Sequence, residues 1–366
     1  MPPSTSDDGP SVAALDKTDL SNRHPRRGSY PPISSIPYTS VQRLTQAAED
    51  AAPVGDADAS DTVLYLAYGS NLSAETFLGM RKIRPLSQMN VSVPILQLTF
   101  DLPGVPYREP CFANVGFRDG PESERRGRPT APAADPTRAG YEWDGHLMGV
   151  VYEVTQKDWR TIMRTEGAGS SYKEVAVPCI PLRSTLVGDA ARPNRPPSFL
   201  ARTLYASYVP DGGDDDAGRC RWWHRLTRGR QRPNPGYAQP SARYLKLLKD
   251  GAREHGLPDV YQQYLASLQP YTATHRRQKA GQLLFLTTWA PLLVFFLTMT
   301  NVLADETGKL PTWLASCVTG SFNLMWLSYD AVFKPIFGDG ERTTAGPPRS
   351  DKERVPLLSN GHGPGP

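Results

Sequence analysis

The sequence predicts an α+β chain: a mixed sheet-and-helix domain in its middle, two apolar helices after it, and polar tails at both ends. Three observations carry this. Strand-like apolar runs and amphipathic helical segments intermix between about residues 61 and 275. From Ala280 to Ala304 there is no charged residue. The 36 prolines and 31 glycines gather in a few polar segments, and their share exceeds the average usage of about 12% for the pair. The ordered part is therefore smaller than 366 residues.

Composition excludes several function classes. A formal net charge of +4 is too small to argue for a nucleic-acid partner. Cys111, Cys179, Cys220 and Cys317 are scattered with no C-x-x-C pair, which fits a reducing compartment and argues against both a disulfide framework and a zinc site. The six histidines lack ligand spacing, so no metal is expected.

Residues 1–60 are rich in Pro, Ser, Asp and Ala and read as a disordered tail without a secretory signal. The domain, residues 61–275, opens with a buried strand within Val63-Leu-Tyr-Leu-Ala-Tyr-Gly-Ser-Asn-Leu72. Ser73–Leu78 follows as a short helix, with Asn71 or Ser73 available to cap it. Val91–Phe100 alternates as one half-buried strand, with Pro94 marking it as an edge or an interruption. Phe112–Phe117 is a shorter strand or turn, and 119–142 a polar insertion. His146–Val154 is a strand and Thr155–Met163 a helix capped by Thr155. Two further strands cover Glu174–Ile180 and Phe199–Val209. A second insertion near 210–236 contains a basic run, Arg219–Arg232, with Trp222 and Trp223. That run is a solvated loop, or a surface for a membrane or an acidic partner. Ser241 caps a helix that Gly256 stops, and Leu257-Pro258 starts another ending near Leu268.

The corner at 69–71 is the first candidate site. Strand, glycine turn and helix start gather unpaired N–H groups, and such a nest holds a carboxylate or phosphate without a charged side chain. An ordinary strand–turn–helix corner has the same pattern, so the local reading leaves both open.

The residues add a resemblance. Tyr65-Leu-Ala-Tyr-Gly-Ser-Asn-Leu72 resembles the Y-F-A-Y-G-S-N-L signature of the gamma-glutamylcyclotransferase family. Glu166-Gly-Ala-Gly-Ser-Ser-Tyr172 and the strand after it resemble that family's catalytic segment, with the spacing from Glu to Tyr one shorter than in the animal enzymes. Gln239–Tyr261 is similar to its P-S-x-x-Y…G-A-x-x-x-G-L-P-x-x-Y. The resemblance runs from 61 to about 272, interrupted by the insertions. It implies a small closed mixed β-barrel with flanking helices, and a gamma-glutamyl amine or dipeptide as substrate. It implies 5-oxoproline and a free amino acid as products, with Glu166 as acid/base. Tyr65, Leu66, Ala67, Tyr68, Gly69, Ser70, Asn71 and Tyr244 are the implied substrate-binding residues. No cofactor is implied, because the substrate's own α-amine is the nucleophile. A cyclotransferase acting on glutathione or glutathione adducts is the alternative, as is an inactive membrane-anchored adaptor.

Beyond the resemblance, 280–334 reads as membrane segments. Residues 280–304 exceed the roughly 20 residues that cross a bilayer. Residues 310–329 are uncharged but carry Ser, Thr, Gly and Asn323. They complete a transmembrane hairpin or lie in the interface. Basic residues at 275–279 precede the first segment, and the 305–309 loop carries no net positive charge. The positive-inside rule therefore puts the large N-terminal part in the cytosol. The sequons Asn71-Leu-Ser73 and Asn90-Val-Ser92 favour the same side, since a lumenal domain would risk a glycan on its own ligand loop. Residues 338–366 read as a disordered tail.

Overall fold

The computed structural model describes residues 30–49, 61–118, 143–165, 173–182, 197–206, 232, 236–303 and 311–344. The insertion at 119–142, most of that at 210–236 and the Glu166–Tyr172 segment lie outside the described residues.

Seven strands are described: β1 (Thr62–Ala67), β2 (Ser87–Val93), β3 (Leu96–Val105), β4 (Glu109–Phe117), β5 (Leu147–Thr155), β6 (Lys173–Pro181) and β7 (Phe199–Tyr205). Five of them close on themselves in the order β1-β5-β2-β6-β7, while β3 and β4 form a separate hairpin sheet. Closure comes from a parallel contact between β1 and β7 at Tyr65 and Arg202; the other pairs are antiparallel. The continuous apolar run of β1 has a direct cause. Val63 to Ala67 are all buried, because one face looks into the barrel and the other is covered. Tyr65 packs on Trp159 at 5.6 Å between ring centroids. Trp159 and Ile162 lie on α2 (Gln156–Thr165), whose first turn is capped where Thr155 Oγ1 accepts from the Asp158 N–H at 3.1 Å.

Of the two possibilities at Pro94, the interruption holds: Pro94 and Ile95 form a turn between β2 and β3, because proline has no N–H for a ladder. Two expectations about this region need correction. Ser73–Leu78 is not an ordinary capped helix but a 3-10 turn at Ser70–Leu72 followed by one π-turn at Glu75–Met80, neither with a side-chain cap. Residues 30–49 are not tail: Tyr38 bridges Gln88 of β2, and α1 (Val41–Glu49) buries Leu44 completely.

Past the barrel, α3 (Ala242–Glu254) and α4 (Asp259–Ser267) pack as a pair, followed by α5 (Arg276–Leu303) and α6 (Thr312–Ser328). Among the described residues only Arg276–Phe296 is a helix long and apolar enough to cross a membrane. Two crossings are not supported. Helix α6 has 17 residues and runs on through a π-turn at Tyr329–Phe333 into a short helix at Lys334–Phe337. Its lower end also belongs to the protein: Met325, Trp326 and Tyr329 are buried in a second core with Tyr107, Phe285 and Trp289. The start of the expected C-terminal tail is ordered as well, since Asp339 and Glu341 are buried.

If α1 belongs to the fold, Leu44→Ala lowers unfolding stability by about 2–5 kcal/mol, measured by chemical denaturation. A tail residue would leave the midpoint unchanged.

Candidate functional site

The end of β1 opens into a small cavity of about 20 Å³ lined by Tyr65, Tyr68, Gly69, Ser70, Asn71, Ala113, Leu204 and Tyr244. That is room for a group the size of one or two waters, comparable to the head of a ligand. Six of the nine sequence-derived site residues therefore meet at one place. Leu66 and Ala67 do not line it. They are fully buried strand residues, and the Leu66 carbonyl accepts from Thr203 Oγ1 at 2.9 Å. Glu166 lies outside the described residues, directly after the last residue of α2.

Each wall has a local reason. The 3-10 turn closes with the Leu72 N–H on the Gly69 carbonyl and the Ser73 N–H on that of Ser70. The N–H groups of Gly69 and Ser70 have no acceptor among the described residues, so the corner is a donor nest. Asn71 caps nothing; its Nδ2 donates to Tyr65 Oη at 2.7 Å, which fixes the ring of a residue six positions back. Tyr68 Oη donates to the Leu204 carbonyl at 2.6 Å. Tyr244 enters from the first turn of α3, where Ser241 Oγ accepts the Tyr244 N–H at 3.0 Å, the expected N-cap. The Ala113 N–H donates to Tyr244 Oη at 3.2 Å. A Cβ at Gly69 would lie 3.2 Å from Tyr244 Oη, so glycine is what lets the hydroxyl sit so close to the corner.

Ala113 and Leu204 are the wall residues that sequence reasoning missed. Both lie on strands, but nothing local marks an Ala or a Leu on a strand as facing a site. Barrel closure and the β3–β4 hairpin bring them there.

The far end of α3 grips the same loop. Glu254 Oε2 accepts from the Ala74 N–H at 2.9 Å. The His255 ring sits 2.8 Å from Tyr152 Oη and hydrogen-bonds the Leu72 main chain. Burial pushes its pKa down to about 4, against the ordinary 6.5, because the charged ring would lose its hydration.

Comparison with known proteins gives a consistent family. Residues 275–336 match the AclK C-terminal domain family. The chain is similar to gamma-glutamyl cyclotransferase gliK of Aspergillus fumigatus, 32% identical over 282 residues, covering 76% of this chain and 89% of the relative. It is also similar to gamma-glutamyl cyclotransferase aclK of Aspergillus oryzae, 31% identical over 300 residues, covering 79% and 93%. A solved structure named gamma-glutamyl cyclotransferase is 18% identical, with a TM-score of 0.35 over 59% of this chain and 92% of that one.

Two measurements test the geometry. Gly69→Ala is expected to change stability by less than ~1 kcal/mol while weakening ligand binding at the corner, since the Tyr244 hydroxyl must give way; calorimetric titration beside a melting curve separates the two. The His255 ring stays neutral in the fold while an unfolded chain takes up the proton below about pH 6.5. Its contribution to stability is therefore present at neutral pH. It fades as pH falls from about 6.5 towards the folded value of about 4, by about 3 kcal/mol in all. Unfolding curves of His255→Gln should show a flatter pH dependence across that window.

Proposed function

The chain belongs to the gamma-glutamylcyclotransferase family, and on that premise we propose that it releases 5-oxoproline and a free amino acid from a gamma-glutamyl substrate. The observation that carries the reading is the cavity at the end of β1, where a donor nest faces three tyrosines. In the proposed reaction the substrate's α-amino nitrogen attacks its own γ-carbonyl carbon and closes a five-membered lactam. The C–N bond to the leaving amine breaks, and one proton passes from the nucleophile to that amine. The protein's tasks are to fold the chain of the substrate, hold its α-carboxylate and move the proton.

The parts fit those tasks. The Gly69, Ser70 and Asn71 corner is suited to the α-carboxylate. Tyr65, Tyr68 and Tyr244 line the folded chain. Leu66 and Ala67 serve by holding the strand, through their backbone. Glu166 is the proton shuttle on the strength of its motif; a carboxylate with a raised pKa can act first as base and then as acid.

The division of labour follows: residues 61–275 carry the chemistry and the helices beyond anchor it. Helix α5 crosses a membrane, with the large domain on the cytosolic side. In its support, only 17% of the Arg276–Phe296 window is buried in the protein, whereas a soluble core helix is mostly buried. Val294 and Phe295 are 60% and 54% exposed. Asn71, the sequon residue at the corner, is 2% exposed, which suits a side of the membrane without glycosylation.

The full chain in detergent, given gamma-glutamyl-alanine and glutathione separately, tests the reading by 5-oxoproline release. Release from the dipeptide, reduced by about 10² to 10⁴ in Glu166→Gln, is the expected result. Release from glutathione alone would move the substrate to the larger class. Full activity of the variant would remove Glu166 from the mechanism. For the anchor, alkaline carbonate should leave the chain in the membrane pellet, and extraction into the supernatant would count against a crossing helix.

A further inference from the structure

We propose that the C-terminal unit, residues 275–343, is a positioning part of the pocket and not only an anchor, with Glu341 as the positioning residue that holds Tyr244 in place. This rests on the reading of the β1 cavity as the substrate site. Two routes run from the helical unit to the first turn of α3.

The first route is the β3–β4 hairpin. Its turn carries Tyr107, 1% exposed and held at φ 64°. The ring meets Tyr329 edge-on at 5.5 Å and Phe285 at 5.9 Å. Its N–H donates to the Gly340 carbonyl and its Oη to that of Gly338, both at 2.8 Å, while its own carbonyl accepts from Gln282 Nε2 at 2.7 Å. A Cβ on Gly340 would lie 2.8 Å from the Tyr107 ring, so the strap passes flush against it. Two residues on, Glu109 accepts from Ser241 Oγ and from Arg243 at 2.6 Å. The same hairpin supplies Ala113, whose N–H holds Tyr244 Oη.

The second route is the strap itself. Glu341 is 1% exposed. Its carboxylate receives Arg232 at 2.6 and 2.8 Å, and the same guanidinium forks onto Asp330 at 2.7 and 2.8 Å over the Trp326 ring at 4.3 Å. Lys334 adds a second cation, 3.3 Å from Glu341 and 3.5 Å from Asp339. So held, the Glu341 carbonyl accepts the Gln239 N–H at 2.8 Å, and Gln239 Oε1 accepts the Thr343 N–H at 2.7 Å. Gln239 lies two residues before the α3 cap. The clasp at the foot of α6 thereby sets where α3 begins, and Tyr244 is on its first turn. A buried charge in such a clasp keeps one geometry, because any other leaves it unpaired.

The test uses the full chain in detergent. Glu341→Gln keeps the shape and removes the charge. It should raise KM for a gamma-glutamyl dipeptide about tenfold with kcat within about twofold. In a Tyr244→Phe background it should raise KM no further, since coupled residues are not additive. An unchanged KM, or full additivity with Tyr244→Phe, would overturn the proposal. Gln239→Ala, at a half-buried position, carries the same comparisons if Glu341→Gln does not fold. Amide exchange provides a readout without turnover. The Ala113 N–H should exchange faster in either variant, and equal protection there would overturn the proposal whether or not the wild-type chain turns over substrate. Absence of wild-type turnover together with faster Ala113 exchange would count against the substrate reading alone.

Discussion

Helix α3 can lie on the 69–74 loop because residue 251 has no side chain. A Cβ at Gly251 would stand 2.5 Å from the Leu72 carbonyl carbon, a separation that no adjustment of a flexible side chain could relieve. From that contact the site extends in both directions along one helix. Seven residues back, about 10 Å at the helical rise, Tyr244 reaches the mouth of the cavity. One turn forward, Glu254 and His255 take the loop from behind, through Ala74 and Leu72. The loop is short and glycine-containing, and on its own would sample many shapes. Pinned at both ends and in the middle, it presents its N–H groups in one arrangement.

The chemistry of the wall follows from what stands behind it. The barrel side of the corner is aromatic: Tyr65, Phe77 and Tyr152 stack in succession, and Trp159 meets Tyr65 at a tilt. Such a backing excludes water, so an anion held by backbone donors at the corner interacts more strongly than it would at a wet surface. Two of these side chains use their polar ends to fix the loop and the end of α3: the Tyr65 hydroxyl takes the Asn71 amide and the Tyr152 hydroxyl meets His255. The proposed reaction, whose nucleophile and electrophile sit in one substrate, asks for little more than a preorganised fold of that substrate, and rigid walls are suited to it.

Helix α5 passes through two environments. Phe285 and Trp289 are buried against Tyr107, Trp326 and Tyr329, whereas Val294 and Phe295 further along are exposed. The foot of the helical pair is therefore protein core, and its upper part presents apolar surface. Composition cannot separate the two, because a helix facing lipid and a helix facing a protein core draw on the same residues. The same ambiguity explains why α6 reads as a second crossing from its sequence: Met325 and Trp326 at its lower end are apolar and pack on the hairpin turn.

What the sequence determined by itself is local. The strand before Gly69, the cap at Ser241, the cap at Thr155 and the stop at Gly256 are set by neighbours within a few positions, and each stands where its residues put it. Six residues of the expected site line one cavity. The tertiary structure decided what depends on distant pairing. It drew residues 30–49 and 338–344 out of the expected tails, gave the Asn71 amide to Tyr65 and not to a helix cap, and delivered Ala113 and Leu204 to the wall. In each case the deciding partner lies outside the local window: β2 for Tyr38, Tyr107 for Gly340, β7 for β1. Such contacts form only when the chain closes on itself, and the local residue pattern carries no record of which distant segment will arrive.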